Sequence, residues 1–388
     1  MRNYLLSVII PTRNRQFYCL KAVKQILSHN WNNVEICIQD NSDDDDLKRA
    51  ISSLNRENVV YNYHGGTLSF VDNFSEAVSL AHGEYLCMIG DDDGILNDIH
   101  FLIKDMKNQN ADAAIPALNY IYFWPSQQNI IENGGNGVLI SHSYLEGISN
   151  TGRVVDCKNA IIKLLKNGVQ NYTDLDIPRL YHGVVKKETL EAIKEKTGSY
   201  FGGLTPDMSM ATALSLVCKK VIRVNYSVTI SGICPTSGSS DSATGKHTGN
   251  LCDAPHFRGH SDYKWDSLIP SFYSVDTIWA DTLLHTIRDF KRDDLIQRFN
   301  LPSFAAICII KYPDFSNVIL THVKGKGYSK SSVKYRYYLY KAKKFAERVI
   351  NKYRKLFYGV KKNPHKTFDV PEIEVAENVI NKNKVEFS

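Results

Sequence analysis

The sequence predicts an α/β fold, a mostly parallel sheet flanked by helices, with a C-terminal helical extension. Three observations carry that prediction. Over the first hundred residues, short apolar segments alternate with segments of helical periodicity, which is the signature of βαβ units. Polar residues suited to chemistry follow several of those apolar segments, at the strand ends where open sheets bind ligands. Finally, Gly83 to Leu96, GEYLCMIGDDDGIL, drives a short buried strand without a break into Asp91, Asp92 and Asp93.

Leu5 to Ile10 reads as the first strand, closed by Pro11-Thr12-Arg13. Arg15 to Ser28 follows with Tyr18, Ala22 and Ile26 at helical spacing. Val34 to Ile38 is a second strand ending in Gln39-Asp40-Asn41-Ser42. A short helix from Asp44 to Leu54 leads to a third strand, Val59 to Tyr63. Phe70 to Ala81 is amphipathic, with Phe70, Phe74, Ala77, Val78 and Ala81 on one face. The strand Tyr85 to Ile89 then meets the three acids. Adjacent carboxylates repel and lose hydration at such a place. A hard divalent cation, Mg²⁺ or Mn²⁺, relieves both, since it prefers carboxylate and phosphate oxygens. The alternative is that the acids cap the helix beginning near Leu96. Asp43 to Asp46 is a longer acidic run, but it opens a polar helix and is assigned no chemistry.

A helix from Asp98 to Asn108 and a strand from Ala111 to Ala117 continue the alternation. Asn119 to Asn150 reads as an irregular insertion, aromatic and then rich in Asn and Gly. Asp156 to Leu165 and Lys187 to Lys196 read as helices around a strand, Leu180 to Val185. Thr205-Pro206-Asp207 opens the next helix with N-cap chemistry and places Asp207 in its first turn. Lys220 to Ile230 is strand-like, and Gly232 to His260 is a long binding-loop candidate. Its Thr244-Gly245-Lys246-His247 lacks the earlier Gly and the following Ser or Thr of a phosphate-binding loop. His247, His256 and His260 lack ligand spacing. Tyr263 to Phe315 reads as helical.

Between Lys324 and Lys366, cations interleaved with Tyr and Phe face a single acid, Glu347. Such a segment suits an anionic membrane surface, a helix docked on the protein's own core, or nucleic acid. Pro371 to Ser388 reads as polar and frayed. Composition is that of an ordinary globular chain, 43% hydrophobic and 23% charged with net charge +6. No apolar run reaches membrane-spanning length, and the N-terminal run is too short for a secretion signal. The scattered cysteines, without a CxxC pair, point to a reducing, cytosolic compartment.

Four segments in order resemble the catalytic domain of family-2 glycosyltransferases: Ser7-Val8-Ile9-Ile10-Pro11-Thr12-Arg13-Asn14, Gln39-Asp40-Asn41-Ser42, Asp72-Asn73-Phe74 with Ala81-His82-Gly83-Glu84-Tyr85, and Asp91-Asp92-Asp93 in place of the DxD. The resemblance covers about the first 120 residues and implies the GT-A (Rossmann-like) fold. It implies that Pro11, Thr12, Arg13, Asp40, Asn73 and Asp91 bind the nucleotide, Asp40 accepting from the base, and that Asp92, flanked by Asp91 and Asp93, holds the metal. The chain departs from the family twice. Gly90 falls where the first acid of the common pattern stands, and the later Glu-Asp pair is here Pro206-Asp207. Asp207 is the candidate base.

The expected organisation is a catalytic domain over 1–231, a loop and helical acceptor-side region over 232–323, and a basic amphipathic tail over 324–388. The expected reaction is metal-assisted transfer, with inversion, from a nucleotide diphosphate sugar, with uridine the leading base, to a saccharide or lipid-linked saccharide at the inner face of a membrane. The competing classes are a sugar-phosphate nucleotidyltransferase, disfavoured because Pro11 to Arg15 has no glycine, and a nucleic-acid-binding module using the basic tail.

Overall fold

The computed structural model describes residues 3–124, 137–141, 151–236, 248–251, 254–259, 262–358 and 365–385. The chain opens as β1 (Leu6–Thr12), α1 (Gln16–Ser28), β2 (Val34–Asp40), α2 (Asp46–Ser53), β3 (Val59–Tyr63), α3 (Phe70–Ser79) and β4 (Tyr85–Met88). It continues through β5 (Gly94–Ile95), α4 (Ile99–Gln109), β6 (Ala113–Ile115), β7 (Tyr120–Phe123), β8 (Gly137–Ser141), β9 (Arg153–Val155), α5 (Cys157–Lys166), β10 (Val184–Lys186), α6 (Lys187–Thr197), α7 (Pro206–Val217), β11 (Val221–Arg223) and β12 (Thr229–Ile233).

The main sheet has the order β3-β2-β1-β4-β10-β6-β11-β9. Its first four strands are parallel, and β10 runs antiparallel between β4 and β6. Both faces of the sheet are covered, which explains why these strands read as unbroken apolar runs. Leu6, Val8 and Ile10 pack with Val23 and Ile26 of α1 on one side. On the other, Ile9 and Cys37 pack with Phe74 and Ala77 of α3. A second core, around Leu164, Leu283 and Phe304, joins α5 to the helices Val275–Asp289 and Leu301–Lys311.

Three expectations change. The insertion after Asn119 is partly regular, because β7 and β8 join β5, β12 and a late strand, His365–Asp369, in a second sheet. The expected strand Lys220 to Ile230 divides into β11 and β12, one in each sheet. The C-terminal segment is not frayed over its described length. Val370, Ile373, Ala376 and Ile380 are fully buried in the same core as β1 and β2, and the helix Ala376–Val385 follows. Their spacing makes an apolar stripe that polar neighbours obscure in the sequence. Lys21 pairs with Glu372 at 2.9 Å and helps hold this segment against α1. The segments Thr244 to His247, His260 and Lys361-Lys362 lie outside the described residues.

Candidate active site

The carboxyl ends of β1 and β4 open onto a cleft of about 1530 Å³. Its lining includes Pro11, Thr12, Arg13, Arg15 and Asn73. Asp92 and Asp207 face the same space. The parallel register that puts Leu6 to Ile9 beside Tyr85 to Met88 is what carries Thr12 and the acids to one edge of the sheet.

The three acids have separate fates. Asp91 is fully buried, accepts from the Thr12 hydroxyl at 2.6 Å and from Arg15 Nε at 3.1 Å, and pairs with Arg15 Nη2 at 2.8 Å. Asp93 accepts from the backbone N–H groups of Gly90 and Gly232, both at 2.6 Å, and from the Tyr181 hydroxyl at 3.0 Å. His182 lies 3.3 Å from it. Burial drives the His182 pKa down to about 3, so the ring beside Asp93 is neutral, and its Nδ1 is hydrogen-bonded with the Thr229 hydroxyl at 2.9 Å. Asp92 differs: its Oδ2 accepts from the Cys234 N–H at 3.2 Å, its Oδ1 stands 3.9 Å from Arg15, and of the three it alone lines the cleft. Asp91 and Asp93, expected as metal ligands, are thus committed to protein donors. Asp91, also expected at the nucleotide, is not among the residues that line the cleft.

Burial raises the pKa of Asp91 to about 7, against the pull of Arg15, and that of Asp92 to about 6, with Asp93 adding to the rise. Among the described residues no group of three His, Cys, Asp or Glu side chains surrounds a metal-sized space. A single outward carboxylate still fits the manner in which Mg²⁺ or Mn²⁺ is held between one or two acids and substrate phosphates.

The strand β12 completes the site from behind. A Cβ on Gly232 would overlap the carbonyl oxygen of Asp92, so only glycine lets β12 come close enough to bond Asp93. Trp124 Nε1 donates to the same Asp92 carbonyl at 2.8 Å.

Asp207 stands in the first turn of α7, partly buried, and lines the same cleft. Burial raises its pKa to about 6, Arg179 opposing and Asp93 adding. No described residue hydrogen-bonds its carboxylate. Asn73 presents a buried Oδ1 without a partner, while its Nδ2 lies 3.4 Å from the Thr12 carbonyl. Arg13 lines the cleft and pairs with Asp43 at 3.0 Å.

Asp40, like Asp91, is an expected nucleotide residue that does not line the cleft. It is fully buried, and its oxygens accept from Ser42 N–H at 2.9 Å and the Tyr61 hydroxyl at 2.7 Å. Tyr61, on the adjacent β3, captures it, and Asn41 lines the cleft in its place. Sequence reasoning missed Arg15, Tyr181, His182 and Gly232. Arg15 had a signal, a cation just past the strand end with uncompensated acids nearby; the others had none, because the residues they meet are distant in the chain.

A family model described as "Glycosyl transferase family 2" matches residues 7–131. This N-terminal region belongs to the family-2 glycosyltransferases. The GalNAc(5)-diNAcBac-PP-undecaprenol beta-1,3-glucosyltransferase of Campylobacter jejuni is 33% identical over 98 residues, 24% of this chain and 31% of that protein. Abequosyltransferase RfbV of Salmonella typhimurium is 32% identical over 113 residues, 28% of this chain and 34% of that protein. The match therefore spans about a third of the length of these curated relatives. Among solved structures, S. aureus TarS 1-349 in complex with UDP-GlcNAc aligns with a TM-score of 0.46 at 13% identity, over 84% of this chain and 93% of that one.

Proposed function

We propose that this protein transfers a sugar, with inversion, from a nucleotide diphosphate sugar, UDP-linked in the leading case, to a saccharide hydroxyl in the assembly of a bacterial surface polysaccharide. The observation that carries the reading is that Asp92 and Asp207 line one cleft with Thr12, Arg15 and Asn73, Asp92 within the family-matched span and Asp207 beyond it in the chain.

The chemistry follows from the charges involved. A diphosphate leaves a sugar slowly unless its growing negative charge is neutralised. Asp92 would hold Mn²⁺ or Mg²⁺, and the bound ion supplies Lewis-acid stabilisation of the diphosphate oxygens. Arg15 adds a fixed cation beside that position, and the Asn73 Oδ1 offers an acceptor to the nucleoside. Asp207, deprotonated above pH 6, takes the proton of the acceptor hydroxyl. The new C1–O bond forms as the bond to the diphosphate breaks on the other face, which inverts the anomeric centre.

A lipid-linked acceptor fits the helix Lys330–Tyr358. It packs on the second core through Val333 and Tyr337. On the opposite side it exposes Tyr335, Tyr338, Leu339, Phe345, Val349, Ile350 and Tyr353, flanked by Lys and Arg. At about 100° per residue these positions form one apolar stripe bordered by cations, suited to the anionic inner face of a membrane. Among the described residues no helix is long and apolar enough to cross a membrane. The Campylobacter relative, whose name gives a polyprenol-diphosphate-linked acceptor, is in keeping with that reading.

The test is a panel of nucleotide sugars incubated with purified protein and Mn²⁺, with release of nucleoside diphosphate measured. Turnover of at least one UDP-sugar is expected, and its loss in Asp207→Asn. No release from any donor would reject the reading. A salt-sensitive nucleic-acid shift without nucleotide binding would favour the binding-module alternative.

A further inference from the structure

Beyond the donor and the base, the cleft continues along a wall that the transfer chemistry does not use. This wall is formed by the loop after α5, the start of the helix Val275–Asp289 and the turn after the helix Leu301–Lys311. At its centre Asp276 is buried and accepts from Gln170 Nε2 at 2.7 Å, Lys311 Nζ at 2.8 Å and the Tyr312 hydroxyl at 2.6 Å. A buried carboxylate is costly unless paired in this way, and here the pairing pins three separate chain segments against one another. The loop itself is held in an uncommon backbone form. Val169 has φ 57° and Asn171 φ 55°, a region that β-branched residues rarely enter and that clusters at functional sites.

On this rigid wall sits Trp279, partly exposed to the cleft, its ring edge-to-face with Tyr172 at 5.1 Å. Three of the four tryptophans satisfy their indole N–H within the protein: Trp31 donates to Asn97 Oδ1, Trp124 to the Asp92 carbonyl and Trp265 to the Ile269 carbonyl. No described residue accepts from Trp279. An aromatic face with a rim donor that no described residue occupies matches a pyranose ring, which presents C–H groups on its faces and hydroxyls around its edge. Tyr172, Trp279 and Asp207 line the same cleft, which puts this platform and the proposed base on one continuous surface.

We infer that Trp279, supported by Tyr172 and by the Asp276 network, is a binding subsite for a pyranose unit of an oligosaccharide acceptor, next to the hydroxyl that meets Asp207. The subsite rests on the glycosyl-transfer reading above. It makes the acceptor a chain of at least two sugars.

The test is a microarray of bacterial surface oligosaccharides probed with the full chain, UDP and Mn²⁺ present, alongside calorimetry of UDP binding. Wild type should retain a subset of the glycans. Trp279→Ala should weaken retention about tenfold, the scale of one lost aromatic contact. Trp279→Phe, which keeps an aromatic face, should stay within about threefold. UDP affinity should be equal in all three proteins. A wild-type protein that binds UDP but no glycan, or a Trp279→Ala protein that binds glycans normally, would overturn the subsite alone. A wild-type protein that binds no UDP would reject the transfer reading, and the subsite with it.

Discussion

Two runs of aspartate stand about fifty positions apart in this chain, and they do opposite things. Asp43 to Asp46 opens α2 in solvent. Asp43 is exposed, and its bonds to Asn14 and Arg13 hold its pKa below the usual carboxylate range. Asp46 pairs with Arg49 one helical turn away. Asp91 to Asp93 ends a strand that is covered on both faces, and burial raises all three pKa values. The longer run carries more charge and less chemistry. What separates them is where the backbone delivers them: to water in one case, and to the mouth of a cleft between β1, β4 and β12 in the other.

That contrast can be broken or sharpened by substitution. The largest effect is expected from Asp207→Asn, which removes the proposed base from the cleft that Asp92 also lines. The turnover number should fall by about 10³, within the span typical of general-base removal, with UDP affinity unchanged by calorimetry. Next comes Asp92→Asn, with a loss of about 10² to 10³ in turnover, as for other preorganised charge-stabilising groups. Unlike Asp207→Asn, it should also weaken Mn²⁺-dependent UDP binding. A smaller effect belongs to pH. Because burial raises the pKa of Asp207 to about 6, the proposed base is protonated and idle below that value. The ratio kcat/KM should therefore drop about tenfold per unit on the acid side and level off above it. An acid limb near pH 4 would mean that the base is an exposed carboxylate. The smallest effect is assigned to Asp46→Asn in the solvated run, where UDP affinity and turnover should stay within about twofold, as for most surface substitutions.

The same contrast explains what was legible in the sequence. Val34–Asp40, Val59–Tyr63 and Phe70–Ser79 follow from local periodicity, and four short motifs in order were enough to expect the family. The roles of individual acids were not legible. Asp40 looks equivalent to Asp92 as a carboxylate at a strand end, yet a tyrosine on the neighbouring strand captures it. Asp93 looks equivalent to Asp92, yet β12, some 140 positions later, occupies it through Gly232. Arg15 does the same to Asp91. Such commitments depend on pairings between distant segments, which neither composition nor spacing encodes. The burial of Ile373 and Ile380 was hidden for a related reason: charged neighbours dominate a stretch whose apolar residues are few but all on one face.

The most direct measurement is calorimetric titration of UDP into wild type and Asp92→Asn, each with Mn²⁺ and with chelator. Binding that is strong with Mn²⁺, weak with chelator, and insensitive to Mn²⁺ in Asp92→Asn is the expected pattern. Equal UDP affinity in all four titrations, or none in any, would contradict a nucleotide site built on Asp92.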